Sequence, residues 1–315
     1  MAIEPLDPQR RFLFDHFSTS VAPIMVVLDF ISNGYRDIIL PLASQDPMVG
    51  RAVSVVAAFH LSSKLPYLRQ AADAGQLAII SKLRRDSQQL KPQELFNIST
   101  WATILVLLVG ETITGADNYV YLLEMLMHMV QCVGFERAVP VAVRDFFMQQ
   151  TKMFALFGFP LSHESKGVQT LRSSLEDHLE FMSYHLEPDS EHYSTLIIIK
   201  AAICDACEIY RRRAESCLSS EESVDLVECL RQRVLPIDHE TTGAHALVWT
   251  YFVGAAESSL AVHRNFFSDR LTALYQYTQF HSIPAALKAL DIIWQRQGSQ
   301  KWTEVITNEI PILVM

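Results

Sequence analysis

Glycine is scarce, with 11 residues in 315, too few for the turns an all-β chain of this length needs. Half of the residues are apolar and the mean hydropathy is +0.15, a combination that favours helices buried on several sides. An excess of positive charge is missing too. With 26 Lys and Arg against 35 Asp and Glu the formal charge is −9, so the chain as a whole is repelled by phosphate backbones and no direct, specific nucleic-acid binding is expected of it. Long apolar runs are absent: Val21 to Phe30 and Ala244 to Ala256 are interrupted or short against the roughly 20 residues that span a bilayer, so no membrane association is expected. Cysteine is sparse and odd in number, at Cys132, Cys204, Cys207, Cys217 and Cys229. The opening stretch MAIEPLDPQRRFLFDHF shows no secretory apolar core, so reduced thiols in an intracellular compartment are expected. Also missing are GxSxG, HExxH, the phosphate-cradling GxxxxGK, GxGxxG after a strand and the aspartate-rich DDxxD. These gaps argue against a common hydrolase, NTPase or dinucleotide enzyme, and no cofactor is expected.

What is present is organised around Ser99 to Gln131, two apolar helical segments either side of a short polar break. Asn97, Ser99 and Thr100 keep the uncharged run between Glu94 and Glu111 below membrane length, so it reads as core. Gly115 suits a left-handed cap and Asp117 an N-cap or first turn, which makes the pair a helical hairpin. In its second helix Tyr119, Leu122, Leu126, Met129 and Val130 form one apolar stripe, with Glu124 and His128 off it.

The rest of the chain follows the same grammar. Asp7-Pro8 and Asp46-Pro47 are helix openings, an acceptor followed by proline at the first helical position. A loose segment runs from Pro23 to Gly34. Tyr67 to Gln89 reads as a helix turning Leu68, Ala72, Ile79 or Ile80 and Leu83 inward. Pro140 opens a helix to about Leu156, and Gly158, Pro160, Ser162 and Ser165 mark a loop. Val168, Leu171, Leu175, Leu179 and Met182 define one amphipathic helix and Tyr193 to Arg213 another. Ser219 and Glu222 have capping-box spacing, and helices follow over Gly243 to His263, Phe267 to Phe280, Pro284 to Gln297 and Trp302 to Ile306. The fold class expected is all-α, a large multi-helix bundle of roughly a dozen packed helices.

Chemistry is thin. Cys204 and Cys207 form CxxC, but inside a helical pattern that leaves no loop to turn two thiolates onto one zinc, even with Cys217 and Cys229 as further ligands. His178, His185 and His192 recur every seven residues, yet Pro188 separates the last two, so they do not share a face. Glu176, Asp177 and Glu180 read as a solvated helix face, and the basic runs at Arg10–Arg11, Lys82–Arg85 and Arg211–Arg213 as helix-end charge. No metal site is expected.

Three stretches resemble the fungal-specific transcription factor domain, the regulatory region of fungal zinc-binuclear-cluster regulators. NGYRDIILPLASQDPMVGRAVSVVAAFHL (Asn33 to Leu61) is similar to the family's opening segment with its Leu-Pro-Leu-Ala turn and helix ending in His-Leu, although Gly34 stands where proline is usual. TILVLLVGETITGADNYVYLLEMLMHMVQ (Thr103 to Gln131) is similar to the next block, with Tyr119 or Tyr121 where a tryptophan is common. WTYFVGAAESSLAVHRNFFSDRL (Trp249 to Leu271) with IIWQRQGSQKWTEVI (Ile292 to Ile306) looks like the C-terminal helices, with a small-Gly-small-Glu step and paired tryptophans. Members that bind DNA carry six closely spaced cysteines, and here the first cysteine is Cys132.

The resemblance implies one all-α regulatory domain over residues 1–315, weakly subdivided near 158–166, that works in the nucleus through protein partners, the transcriptional machinery or a DNA-binding regulator. It further implies control of specialised metabolism, a small-molecule effector and a homodimer. The alternative is a small-molecule binding protein or enzyme on the same helical body, with His60, His245, Trp249 and Phe252 as candidate pocket residues. Gly254, Glu257 and Ser258 mark a candidate regulatory helix crossing, where small side chains let helices approach and a costly buried carboxylate needs a partner such as Arg264 or Arg270.

Overall fold

A computed structural model describes residues 7–131, 140–216 and 218–315. The chain is all-α, with no strand among the described residues, and no helix there is long and apolar enough to cross a membrane. It divides into two compact units, Met1–Thr114 with Glu124–Met148 and Gly115–Leu123 with Gln149–Met315.

The first unit opens with α1 (Pro8–His16), whose start is set as the sequence predicts: the Asp7 carboxylate accepts from the backbone N–H of Gln9 and of Arg10, each at 3.1 Å. Short helical turns over Phe17–Val21 and Ala22–Met25 follow. Asn33 then ties the loose segment down, its amide donating to the Ala22 carbonyl at 2.9 Å and to Asp29 at 2.6 Å, while its own oxygen accepts from Tyr35 N at 3.0 Å. A wide turn at Tyr35–Ile39 runs into α2 (Leu40–Gln45). The Leu-Pro-Leu-Ala stretch is thus helix rather than turn, because Pro41 falls in the first turn, where its missing N–H costs no hydrogen bond. The next helix, α3 (Pro47–Leu61), is capped by Asp46, which accepts from Met48 N at 2.7 Å and Val49 N at 3.1 Å.

Around α3 the unit closes. It packs against α1, α2, α4 (Leu68–Gln89) and, past the short α5 (Pro92–Leu95), α6 (Ile98–Thr114), most extensively against α4 and α6. The inward residues of α4 are Leu68, Ala72, Ile79 and Leu83, the set its periodicity predicts. In α6 every residue from Thr100 to Ile113 is buried. Thr103 and Thr112 are satisfied locally, donating to the carbonyls of Ser99 and Val109 at 2.7 Å, and Gln76 of α4 donates to Glu111 at 2.8 Å. Gly115 follows at φ +67°, the left-handed stop the sequence predicts.

The unit boundary falls within α7 (Tyr119–Gln131) and again within α8 (Val141–Ser162). In α7 the stripe Tyr119, Leu122, Leu126 and Met129 is buried, while His128 is exposed. The expected loop after Leu156 does not form: α8 runs through Gly158 and Pro160 to Ser162. Pro160 lies in the last turn, and its own carbonyl, close to the helix end, accepts from the Tyr210 hydroxyl at 2.8 Å.

The second unit continues with α9 (Glu164–Arg172) and α10 (Leu175–His178). One amphipathic helix is expected over Val168 to Met182; it is broken at Ser173 and Ser174, because the Ser174 hydroxyl caps a new start by accepting from Asp177 N. Two long helices follow, α11 (Glu191–Ala214) and α12 (Ser220–Val234), the latter opened by the full Ser219–Glu222 capping box. The core element is α13 (Val248–Glu257), buried at every position and packed against α11, α12, α14 (Ala261–Thr278) and α15 (Ser282–Arg296). Finally α16 (Trp302–Glu309) packs on α15, α11 and α9. The single helix expected over Gly243 to His263 is two: α13 stops at Glu257, Ser258 turns extended (φ −65°, ψ 124°), and α14 restarts at Ala261.

One pair in the first unit responds to pH. His16 Nε2 and His60 Nδ1 stand 2.8 Å apart, so one ring donates and the other accepts, and a second proton has no place between them. Burial, then the charges of His60 and Lys64, lower the His16 pKa to about 4, against roughly 6.5 for an exposed histidine. The unfolded chain therefore binds this proton at a higher pH than the folded one, and folded stability that is complete above about pH 6.5 is lost as pH falls toward about 4. Urea midpoints measured from about pH 7 down to about pH 5 should fall, and His16→Asn should flatten that slope; an unchanged slope in the variant would remove His16 as its source.

Candidate functional site

The site is built where α13 ends. Glu257 closes that helix with a side chain fully excluded from solvent, where an unpaired carboxylate costs several kcal/mol. It is not unpaired. Arg213, from the last turn of α11, grips it side-on: Nε donates to Oε2 at 2.9 Å and to Oε1 at 3.2 Å, and Nη2 donates to Oε1. From α12 the Ser223 hydroxyl donates to Oε1. From α16 the Trp302 indole N–H donates to Oε2 at 2.8 Å. Three helices thus direct donors at one carboxylate on a fourth, and the hydrogen bonds to Glu257 raise the pKa of the Arg213 guanidinium further.

The backbone beyond Glu257 is sealed with equal care. The carbonyls at a helix end lack intrahelical donors. Trp294 Nε1 donates to the Ala255 carbonyl at 2.9 Å, and the Ser258 carbonyl receives Arg264 Nε at 2.9 Å and Gln297 Nε2 at 3.3 Å. The Ser258 hydroxyl turns back to the Gly254 carbonyl at 2.6 Å. Gly254 has no side chain because there is no room for one: a Cβ there would meet the Phe267 ring of α14 at 2.7 Å.

Beside this cluster a cleft of about 540 Å³ opens among the ends of α11, α13 and α15 and the starts of α12 and α16. Arg213, Glu257 and Trp302 form part of its wall; hydroxyls from Ser216, Ser220 and Ser259 and the charged pair Lys301–Glu304, 2.9 Å apart, complete it. Its volume lies in the range of small-molecule sites, about 300–1,000 Å³.

The residues singled out from the sequence scatter unevenly over this geometry. Gly254, Glu257 and Ser258 do fall together at one crossing, although Ser258 lies past the end of α13 rather than in it. The partner of Glu257 is Arg213; Arg264 is spent on Ser258, Gln297 and the Trp294 ring, and Arg270 on the Leu235 carbonyl and the Phe266 ring. His60 is paired with His16 in the first unit. In the second unit His245 is half-buried in a short helical turn, Trp249 packs on Phe157 with ring centres 5.6 Å apart, and Phe252 meets the Trp302 ring edge-on at 6.3 Å. Trp249 and Phe252 are fully buried. Cys204 and Cys207 lie on α11, where burial raises both thiol pKa values, and Cys229 is exposed on α12. Cys132 and Cys217 lie outside the described residues. Among the described residues no three metal-ligating side chains converge.

Arg213 and Ser223 are the members of the Glu257 cluster that the sequence did not announce. The arginine run and the capping box were visible, but nothing in either says that the third arginine and the residue after the box turn inward to meet a glutamate more than thirty positions away.

A family model described as the fungal specific transcription factor domain matches residues 12–159 and 161–315. No curated protein and no solved structure matches the chain.

Each oxygen of Glu257 accepts at least two hydrogen bonds, so Glu257→Gln sets an amide N–H₂ against donors and strips Arg213 of its counter-charge. The expected loss is about 3–5 kcal/mol, seen as a fall in melting temperature of about 6–20 °C for a unit of this size. Gly254→Ala should cost about 1–3 kcal/mol through overpacking against Phe267. Thermal melts of both variants check this; a Glu257→Gln protein melting within about 2 °C of the parent would show that the cluster carries no such energy.

Proposed function

The chain belongs to the fungal-specific transcription factor domain family, a family of transcription-regulator domains, and from that premise we propose that it is a regulatory body acting in the nucleus through protein partners on genes of specialised metabolism. The observation that supports this reading is the extent of the match, which takes in residues 12–159 and 161–315, nearly the whole sequence. The charge distribution supports the division of labour. The one run of three arginines is spent internally: Arg211 on Glu208 and Glu215, Arg212 on Glu222 and Arg213 on Glu257. With that run neutralised and a formal charge of −9, these 315 residues hold no six-cysteine cluster and offer poor electrostatics for a duplex. DNA recognition is left to a partner or to another segment. Self-association as a dimer and control by a small-molecule effector belong to the same proposal, with the Glu257 crossing as the contact that occupancy biases.

A second reading, a small-molecule binding protein on the same body, is favoured by one observation, the cleft beside Glu257. The two separate in experiment. Loss of the gene should change a discrete set of transcripts, and the purified chain should bind duplex DNA only weakly, with steep salt dependence and no sequence preference. Transcript profiles unaltered by gene loss would overturn the regulatory role, and tight sequence-specific binding by the chain alone would overturn the partner requirement.

A further inference from the structure

The cleft beside Glu257 has a chemistry that selects among ligands. Arg213 spends Nε and one face of Nη2 on Glu257, and among the described residues its Nη1 has no partner. Its residual N–H groups lie on the wall of the cleft, the side chain about one-quarter exposed. The guanidinium is therefore a fixed, pre-oriented donor edge: Glu257 behind it settles where it points before any ligand arrives. Around it Ser220 and Ser259, both exposed, line the same space. Ile293 and Trp302, both nearly buried, add only a narrow apolar margin. A concave space where a few polar groups converge is where a small polar molecule is held and oriented.

Charge decides the class. The two cations of the wall are each already matched, Arg213 by Glu257 and Lys301 by Glu304 at 2.9 Å. Lys301 is further occupied by the Ala214 carbonyl at 2.9 Å and by Glu164 at 3.5 Å. No net positive field remains to hold a phosphate or a dicarboxylate, while donors for oxygen are in surplus. We propose that this cleft is a binding site for an uncharged, oxygen-rich small molecule, one that presents a carbonyl or ester oxygen to the free edge of Arg213 and hydroxyls to the serines. The proposal deepens the effector part of the reading above and rests on it for its regulatory meaning; its chemistry stands on the cleft alone.

The test uses matched probes on the full chain, followed by isothermal titration and protein-observed NMR: methyl 3,5-dihydroxybenzoate against 3,5-dihydroxybenzoate, and glucose against glucose 6-phosphate. At least one neutral probe should bind saturably at one site, and its charged counterpart tenfold or more weaker. Ser259 is exposed and makes none of the hydrogen bonds to Glu257, so Ser259→Tyr should fill the cleft, leave the fold intact and weaken the neutral probe at least tenfold. Arg213→Lys keeps the charge opposite Glu257 and removes the guanidinium edge, and should do the same where it folds. The proposal is overturned if neither neutral probe binds saturably, if binding survives Ser259→Tyr unchanged, or if the charged partner binds as tightly or more tightly. Unaltered transcripts on gene loss would remove the regulatory meaning and leave the binding result standing.

Discussion

A carboxylate with no access to water governs the second unit. Burying Glu257 is tolerable only because Arg213, Ser223 and Trp302 all reach it, and each reaches it from a different helix. The constraint is mutual: α11, α12 and α16 each have a position along α13 at which their donor meets an oxygen, and a slide of one residue along any of them breaks a charge-assisted bond inside the protein. Apolar packing alone would accept many nearby arrangements of helices as hydrophobic as these. The polar cluster accepts one. The tryptophans that frame it divide the work, Trp302 holding the side chain of Glu257 and Trp294 the carbonyl of Ala255 in the helix's last turn.

The first unit shows the opposite strategy. Its centre, α3 packed between α4 and α6, is almost wholly apolar, and of the few polar groups in α6, Thr103 and Thr112 are settled within their own turn while Glu111 is met by Gln76 of α4. Such a core can be specified by periodicity and volume, with register fixed at the ends by Asp7 and Asp46 caps. Its sensitive point lies at the edge, where His16 and His60 share one hydrogen bond and room for one proton.

This difference explains what could be read from residues alone. Helix starts were legible at Asp7, Asp46 and Ser219, because a cap is a contact between neighbours in sequence, although the Ser174 cap lay hidden inside an apolar stripe that continued past it. The inward face of α4 was legible for the same reason, since 3.6-residue periodicity is local. Helix ends were harder. Nothing near Pro160 in sequence shows that Tyr210 takes its carbonyl, and nothing near Ser258 shows that Arg264 and Gln297 close the end of α13 there. The candidate crossing at Gly254, Glu257 and Ser258 was visible as small residues around one carboxylate, but its partner was sought within α14, the nearest basic residues in sequence. Arg213 arrives from 44 positions away, and only the tertiary packing of α11 on α13 brings it in.

That long reach also settles which groups respond together at the end of α13. The guanidinium of Arg213 faces Glu257 on one side and the cleft on the other, so any hydrogen bond made on the open side competes for, or aligns, the same planar group. The orientation of that group is shared in turn with Ser223 and Trp302 through the two oxygens of Glu257. A buried ion pair of this kind contributes little net stability over an apolar pair of equal volume, but it couples four helices through a single rigid fork. An apolar contact shifted by half an ångström loses a fraction of its dispersion energy, whereas a charged donor pulled off its acceptor in a dry interior loses most of the interaction. Polar coupling is therefore closer to all-or-none than packing is, and in this unit a four-helix polar cluster lies beside a cleft.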